Sequence, residues 1–130
     1  MQLLAFSAIG DSSVADKGKR IMIVDDKAGI RLALRIAFSA RGFEVVEAGS
    51  GEEALEKLRT EAVPDIILLD VNMPGLGGLH ACRSIRASSP ARIIVMSAQG
   101  SETGKAEALS AGANEYISKL FSIEELMSRI

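Results

Sequence analysis

Tryptophan is absent from this 130-residue sequence, and tyrosine, cysteine and histidine occur once each. The core must therefore be aliphatic, built from Ile, Leu, Val, Ala and Met. One cysteine, Cys82, cannot close an internal disulfide, and one histidine, His80, cannot build a His-rich metal site; both facts fit a reducing cytosol. Charge of one sign is also lacking. Fifteen basic against 17 acidic residues leave a net charge of −2, which gives no polyanion-binding footprint and argues against direct nucleic-acid binding by this chain. The N-terminal apolar stretch from Leu3 to Ile9 is too short to cross a bilayer and lacks the basic start of a secretory signal, so no membrane partner is expected. Internal repeats and low-complexity tracts are missing.

What is present is an ordinary globular balance, 48% hydrophobic and 25% charged, at the length of one domain. Residues 1–19 read as a loosely ordered leader, and residues 20–130 as the folded domain. From residue 20 the apolar period alternates. "RIMIVD" (20–25), "FEVVEA" (43–48), "DIILLD" (65–70), "RIIVMSA" (92–98) and "EYIS" (115–118) are short apolar runs of the kind a buried strand needs.

Between the strands the spacing turns helical. Ile30, Leu34, Ala37 and Phe38 form one stripe, with Arg31 and Arg35 set away from it and Gly42 closing the helix. Ser50 with Glu53 reads as a capping box before a helix whose inner face is Ala54, Leu55, Leu58 and Ala62. "NMPGLGG" (72–78) is a loop, "GLHACRSIRA" (78–87) a third helix, and 103–111 a fourth, ended by Gly112. Ser122 with Glu125 caps a last helix that stops at Ile130. Five strands alternating with five helices predict a three-layer, doubly wound α/β domain with a parallel sheet. Ligands in such sheets gather at the C-terminal edge of the strands.

That edge is where the chemistry-bearing residues fall. The first strand ends in Asp25-Asp26, the third in Asp70 and the fourth in Ser97, and the fifth runs into Lys119. Each has a plain structural reading: Asp25 or Asp26 can cap the helix beginning near Ala28, and Asp70 can open a turn. Ser97 can be an ordinary strand-end serine, and Lys119 a solvated loop lysine. Together they suggest more. Clustered carboxylates stay ionised only if a cation joins them. An all-oxygen donor set suits a hard divalent ion such as Mg²⁺. A carboxylate beside such an ion can accept a phosphoryl group as an acyl phosphate. Asp70, at the centre of the sheet, is the natural nucleophile, with Lys119 and Ser97 as charge and hydrogen-bond partners.

"IMIVDD" (21–26), "PDIILLDVNMPGLGG" (64–78), "IIVMSA" (93–98), "ALSAGANEYISK" (108–119) and "FSIEEL" (121–126) resemble, in order, a response-regulator receiver domain of bacterial two-component signalling. The tail looks most like the subgroup that precedes a winged-helix DNA-binding domain. The resemblance implies the flavodoxin-like strand order 2-1-3-4-5, a cytoplasmic location and a sensor histidine kinase as the phosphoryl donor to Asp70. It implies Mg²⁺ held by Asp25, Asp26, Asp70 and the main-chain carbonyl of Asn72, Asp26 more directly than Asp25. Ser97 and Tyr116 match the switch pair. The face made by the fourth helix, fifth strand and fifth helix is the implied output and homodimer surface, with Lys105, Glu115, Glu125 and Arg129 as charge-pair candidates. Asn72 and Gln99 lie where the family tunes acyl-phosphate hydrolysis. Such a domain assists its own phosphorylation and dephosphorylation but is not otherwise an enzyme. His80 is expected on the surface, and Cys82 as a packed small hydrophobe.

Two features depart from the family. After the active-site lysine the family has proline with a cis bond, whereas here Leu120 follows Lys119. A cis bond to a non-proline residue costs about 2.5–4 kcal/mol, so this bond should be trans. The expected consequence is a changed reach of Lys119 towards Asp70 or a displaced start of the last helix, and a slower or less coupled switch. The last helix also has only about two turns, which reads as a receiver excised from a longer regulator rather than a stand-alone receiver with an incomplete final helix, and would leave Leu126 and Ile130 poorly covered. Two other functions compete. One is a phosphorylation-independent interaction module in which Leu120 has decoupled the output face. The other is a Mg²⁺-dependent phosphohydrolase, disfavoured because Asn72 stands where such enzymes place a second acid.

Overall fold

The computed structural model describes residues 18–61, 63–73, 77–98, 101–120 and 122–130. The expected leader, Ala62, Pro74, Gly75, Gln99 and Phe121 lie outside the described residues, apart from positions 18–19 of the leader. Five strands alternate with five helices. They are β1 (Arg20–Val24), α1 (Ala28–Ala40), β2 (Glu44–Ala48), α2 (Gly51–Thr60), β3 (Ile66–Asp70), α3 (Gly78–Ser88), β4 (Arg92–Ser97), α4 (Glu102–Ser110), β5 (Glu115–Ser118) and α5 (Ile123–Ser128). All strand pairs are parallel, in the order β2-β1-β3-β4-β5. The expected α/β architecture and strand order are the observed ones.

β3 is the middle strand, and its five residues are all buried, which is why "IILLD" carries no outward polar position. Successive residues serve opposite layers. Met22, Val24, Ile67, Leu69, Ile93 and Val95 pack with Ala54, Cys82, Ile85 and Ala108 on one face. Ile21, Ile23, Ile66, Leu68, Ile94 and Met96 pack with Leu34, Phe38 and Leu126 on the other. Each fully buried Ile or Leu contributes about 1.5–3 kcal/mol over exposure, so the two faces together fix the register. Phe38 and Phe43 meet edge-on at 5.2 Å across the α1–β2 turn.

Three expectations need correction. Ser50 caps α2 by accepting the Glu53 amide at 3.0 Å, but the Glu53 carboxylate takes the Gly49 amide at 2.6 Å instead of closing a box on Ser50. The Gly49 bond is the main reason the Glu53 carboxyl titrates below its ordinary value. The reciprocal box at Ser122 and Glu125 is present as expected. α4 starts one residue before its expected position, because Ser101 accepts the Gly104 amide and so caps the helix. Leu126 is fully buried, and Ile130 is half-buried against the same core, so two turns are enough to cover this edge of the sheet. Arg86 was not singled out by its sequence position, yet it ties α3 to the loops before β4 and β5. It donates to the carbonyls of Gly112, Ser89 and Ala91 at 3.0, 3.0 and 2.7 Å and to Asn114 Oδ1 at 2.7 Å.

Candidate functional site

At the C-terminal rim, β1 delivers Asp25, β3 delivers Asp70, β4 delivers Ser97 and β5 leads into Lys119. Asp25 and Asp70 are fully buried and Ser97 nearly so. The two aspartates are held in the same way. Asp25 Oδ1 accepts the Lys27 amide at 2.9 Å, and Asp70 Oδ1 accepts the Asn72 amide at 2.8 Å. Each is a local turn that fixes one oxygen and aims the other inward. Lys119 Nζ lies 2.8 Å from Asp25 Oδ2 and 3.0 Å from Asp70 Oδ2. The expected helix cap by Asp25 or Asp26 is not made: Lys27 is the N-cap of α1 and no side chain caps it, while Asp25 Oδ1 takes the Lys27 amide in the turn just before the helix.

Beyond that shared ammonium, neither buried Oδ2 accepts a hydrogen bond among the described residues. A carboxylate oxygen has room for two partners, so each keeps acceptor capacity inside a buried pocket. Burial is the largest single influence on Lys119 and disfavours its charge, but the two carboxylates together outweigh it and hold its pKa above the ordinary lysine value. Asp26 is exposed on the outer side, 3.7 Å from Lys27. Carboxylate oxygens of Asp25, Asp26 and Asp70 all lie within 4.8 Å of one another. Three carboxylates face one half-buried lysine, Lys119, and one exposed lysine, Lys27, so the cluster keeps a net negative charge that favours a cation. The orphaned Oδ2 atoms and this donor set fit Mg²⁺.

The Lys119–Leu120 bond is trans, as expected, and Leu120 is 89% exposed. The expected loss of reach does not occur. The Lys119 amide donates to the Ser97 carbonyl at 2.6 Å, so the sheet ladder sets the lysine's position before the 119–120 bond begins.

Asn72 also bridges the rim, its Oδ1 accepting the Ala98 amide at 2.8 Å. Ser97, Asn72 and Val71 line a groove of about 270 Å³ whose far wall is Gly104 and Tyr116. Tyr116 is half-buried on β5 opposite Val95. Three of the four charge-pair candidates, Glu115, Glu125 and Arg129, are engaged within the chain. Glu115 meets Arg92 and Arg129 at 3.1 Å each, and Glu125 closes the α5 cap, while Lys105 is exposed. His80 is exposed, and Cys82 is buried, its thiol pushed up by burial against the opposing charges of Arg86 and Arg83.

Arg31 is the rim residue that helical spacing missed. It donates to the Asp25 carbonyl at 2.6 Å and to Glu47 at 3.2 Å, and Arg35 meets the same Glu47 at 2.7 Å. The signal was two arginines four apart on α1 with an acidic residue in the next strand. Gly78 was missed as well. A Cβ there would lie 2.0 Å from the Val71 Cα, so only glycine lets α3 start so close behind Asp70.

The model of the response regulator receiver domain matches residues 21–130. The transcriptional regulatory protein ResD of Bacillus subtilis is 40% identical over 111 residues, covering 85% of this chain and 46% of ResD. The chain spans about half the length of the curated relatives it matches. Among solved structures, the Thermotoga maritima response regulator TrrA in complex with Mg²⁺-BeF is 36% identical with TM-score 0.76, covering 85% of this chain and 95% of TrrA. A Burkholderia pseudomallei response regulator with a phosphorylated aspartic acid, a calcium ion and citrate is 25% identical with TM-score 0.79, covering 85% and 65%. No helix among the described residues is long and apolar enough to cross a membrane. Sequence order, strand order and the acidic rim thus agree: this chain belongs to the response-regulator receiver domain family.

Proposed function

We propose that the chain is a phosphoacceptor switch of cytoplasmic two-component signalling, with Asp70 receiving the phosphoryl group from a sensor histidine kinase. The observation that carries this reading is Asp70 Oδ2, buried, paired with Lys119 and still short of a hydrogen bond among the described residues. In the transfer, Asp70 Oδ2 forms the new O–P bond as the P–N bond to the kinase histidine breaks, and that nitrogen keeps the electron pair. Lys119 then stabilises the charge on the phosphoryl oxygens, and the Ser97 hydroxyl donates to one of them. Asp25, Asp26, Asp70 and the Asn72 carbonyl would hold Mg²⁺, which supplies further neutralisation of those oxygens when bound.

Displacement of Ser97 towards the phosphoryl group draws Tyr116 with it and alters the α4–β5–α5 face, where Glu115 joins Arg92 and Arg129. That face would control homodimerisation and, through a DNA-binding domain of the kind ResD's description as a transcriptional regulator suggests, transcription. The domain acts on no separate substrate. A phosphohydrolase would need an acid at position 72, and Asn72 instead uses its side-chain oxygen on Ala98. The phosphorylation-independent reading rests on the Lys119–Leu120 loop decoupling the output face from Asp70; the ion pairs of Lys119 favour an acceptor site that stays assembled despite Leu120.

Intact-mass spectrometry after incubation with acetyl phosphate and Mg²⁺ tests the reading. One phosphoryl adduct on the wild type, absent from Asp70→Asn, is the expected result; an unmodified wild type overturns it.

A further inference from the structure

Gly104 occupies the first turn of α4, a position where glycine weakens a helix and a side chain would normally be preferred. The reason for it lies across the groove. A Cβ at 104 would fall 2.6 Å from the Tyr116 hydroxyl oxygen and 3.3 Å from its Cζ, closer than such atoms pack. The tip of the tyrosine therefore occupies the space a side chain at 104 would need.

Tyr116 stands between two cavities. The inner one, about 270 Å³, is walled by Val71, Val95, Ser97 and Ala108; the outer one, about 280 Å³, by Leu120, Glu125 and Arg129. Val95 and Ala108 belong to the buried core and Val71 packs against it, whereas Leu120 is 89% exposed. Ile117 is the one buried apolar residue lining the outer cavity, so a ring evicted from the Gly104 notch gains more apolar contact by moving inward.

We propose that Gly104 is the positioning residue of the Tyr116 switch: the notch left by its missing side chain seats the tyrosine hydroxyl, and filling that notch drives the ring into the cavity beside Ser97. This rests on the reading of Ser97 and Tyr116 as the switch pair. Van der Waals space on α4 then contributes to the resting orientation, and Gly104→Ala mimics in part the displacement that phosphorylation of Asp70 produces. The end of a tyrosine side chain yields more readily than helix backbone, so the ring moves and the fold persists.

The chain has one tyrosine and no tryptophan, so fluorotyrosine NMR and intrinsic fluorescence report Tyr116 alone. Without any phosphodonor, Gly104→Ala should shift the fluorotyrosine resonance and make the fluorescence harder to quench with acrylamide. Acetyl phosphate with Mg²⁺ should then move the resonance less in the variant than in the wild type. An unmoved resonance in folded Gly104→Ala, or a ring that quenches more easily, overturns the proposal. A Cβ at 104 also comes within 3.0 Å of the capping Ser101 Oγ, so the substitution is repeated in a Tyr116→Phe background. Gly104→Ala raising the melting temperature more in that background supports the notch; equal effects in both assign the crowding to the cap and overturn it. If the wild type takes no phosphoryl group by intact mass, the reading of Asp70 fails, while the resonance measured without phosphodonor still decides the notch.

Discussion

Each rim of the sheet sets a half-buried cation among oxygen atoms, Arg86 at one and Lys119 at the other, and they are used oppositely. At the N-terminal rim Arg86 faces neutral acceptors only, four oxygens at 2.7–3.0 Å, and binds α3 to the turns that precede β4 and β5. Asn114 completes that rim by accepting the Ile93 amide at 2.9 Å. At the C-terminal rim Lys119 is shared between two buried carboxylates that keep unfilled acceptor sites, with a third carboxylate within reach. One rim is closed by its hydrogen bonds, and the other is held under net negative charge. The comparison teaches that the polar interactions stabilising this domain and those suited to binding a ligand sit at opposite ends of the same strands.

The comparison breaks most visibly at Arg86. Arg86→Ala removes the donor from three carbonyls and leaves the Asn114 oxygen with the Ile93 amide alone, and the loss should be about 3 kcal/mol of unfolding free energy in urea. Arg86→Lys should recover little, because one ammonium cannot serve oxygens spread around a planar guanidinium. An alanine variant as stable as the wild type would show that the clamp is merely decorative.

At the other rim the sign reverses. Asp70→Asn removes one of two carboxylates competing for Lys119 while leaving an oxygen to accept the Asn72 amide. Unfolding in chelator should show a gain of about 1 kcal/mol, since relieved repulsion outweighs the weakened ion pair. A comparable loss would mean that Asp70 is there for stability. The Lys119 contribution has its own pH signature. Because its folded pKa is raised, the stabilisation is fully present below the ordinary lysine pKa and disappears as pH rises through the folded value. In Lys119→Met that alkaline loss should be smaller, as read from unfolding curves across the alkaline range.

Magnesium sharpens the same contrast from the ligand's side. At an ion concentration about tenfold above its dissociation constant, the wild type should gain about 1.4 kcal/mol, seen as a raised melting temperature. Asp26→Asn should lose most of that gain without changing the metal-free melting temperature much, because Asp26 is exposed and lies outside the Lys119 pairs. An equal rise in wild type and variant would remove Asp26 from the ion site.

The C-terminal rim was more legible in the sequence than the N-terminal one, for a physical reason. Asp25, Asp26, Asp70, Ser97 and Lys119 each end an apolar strand, and a parallel sheet brings strand ends together whatever the details of packing. Arg86 and Arg31 sit on helices, where a basic residue off the apolar stripe looks like solvated surface. Their partners are backbone carbonyls and a residue on another strand, which no periodicity reports. Gly104 and Gly78 were hidden differently: a glycine's role is the atom another residue puts in its place, here the Tyr116 hydroxyl and the Val71 backbone. The Glu53 miss was local competition, since Gly49 offers its amide to the same carboxylate that was expected on Ser50.

The smallest expected effect concerns Leu120, the residue where the sequence departs most from the family. Its position after the active-site lysine suggested a disturbed site, because a trans bond redirects the chain. The ladder bond from the Lys119 amide to the Ser97 carbonyl lies upstream of that bond, however, and it is joined by the two ion pairs at the lysine's tip. The lysine is fixed at both ends, and the redirection reaches only the chain from Leu120 onward. Leu120 itself projects into solvent, and its amide donates to Ser118 Oγ at 3.2 Å, a contact that any residue except proline can keep. Leu120→Ser should therefore change unfolding free energy by less than about 0.5 kcal/mol and leave the phosphoryl adduct yield unchanged. A marked fall in yield with stability preserved would mean that the site depends on the loop after Lys119, and that the C-terminal rim is held together less locally than its ion pairs indicate.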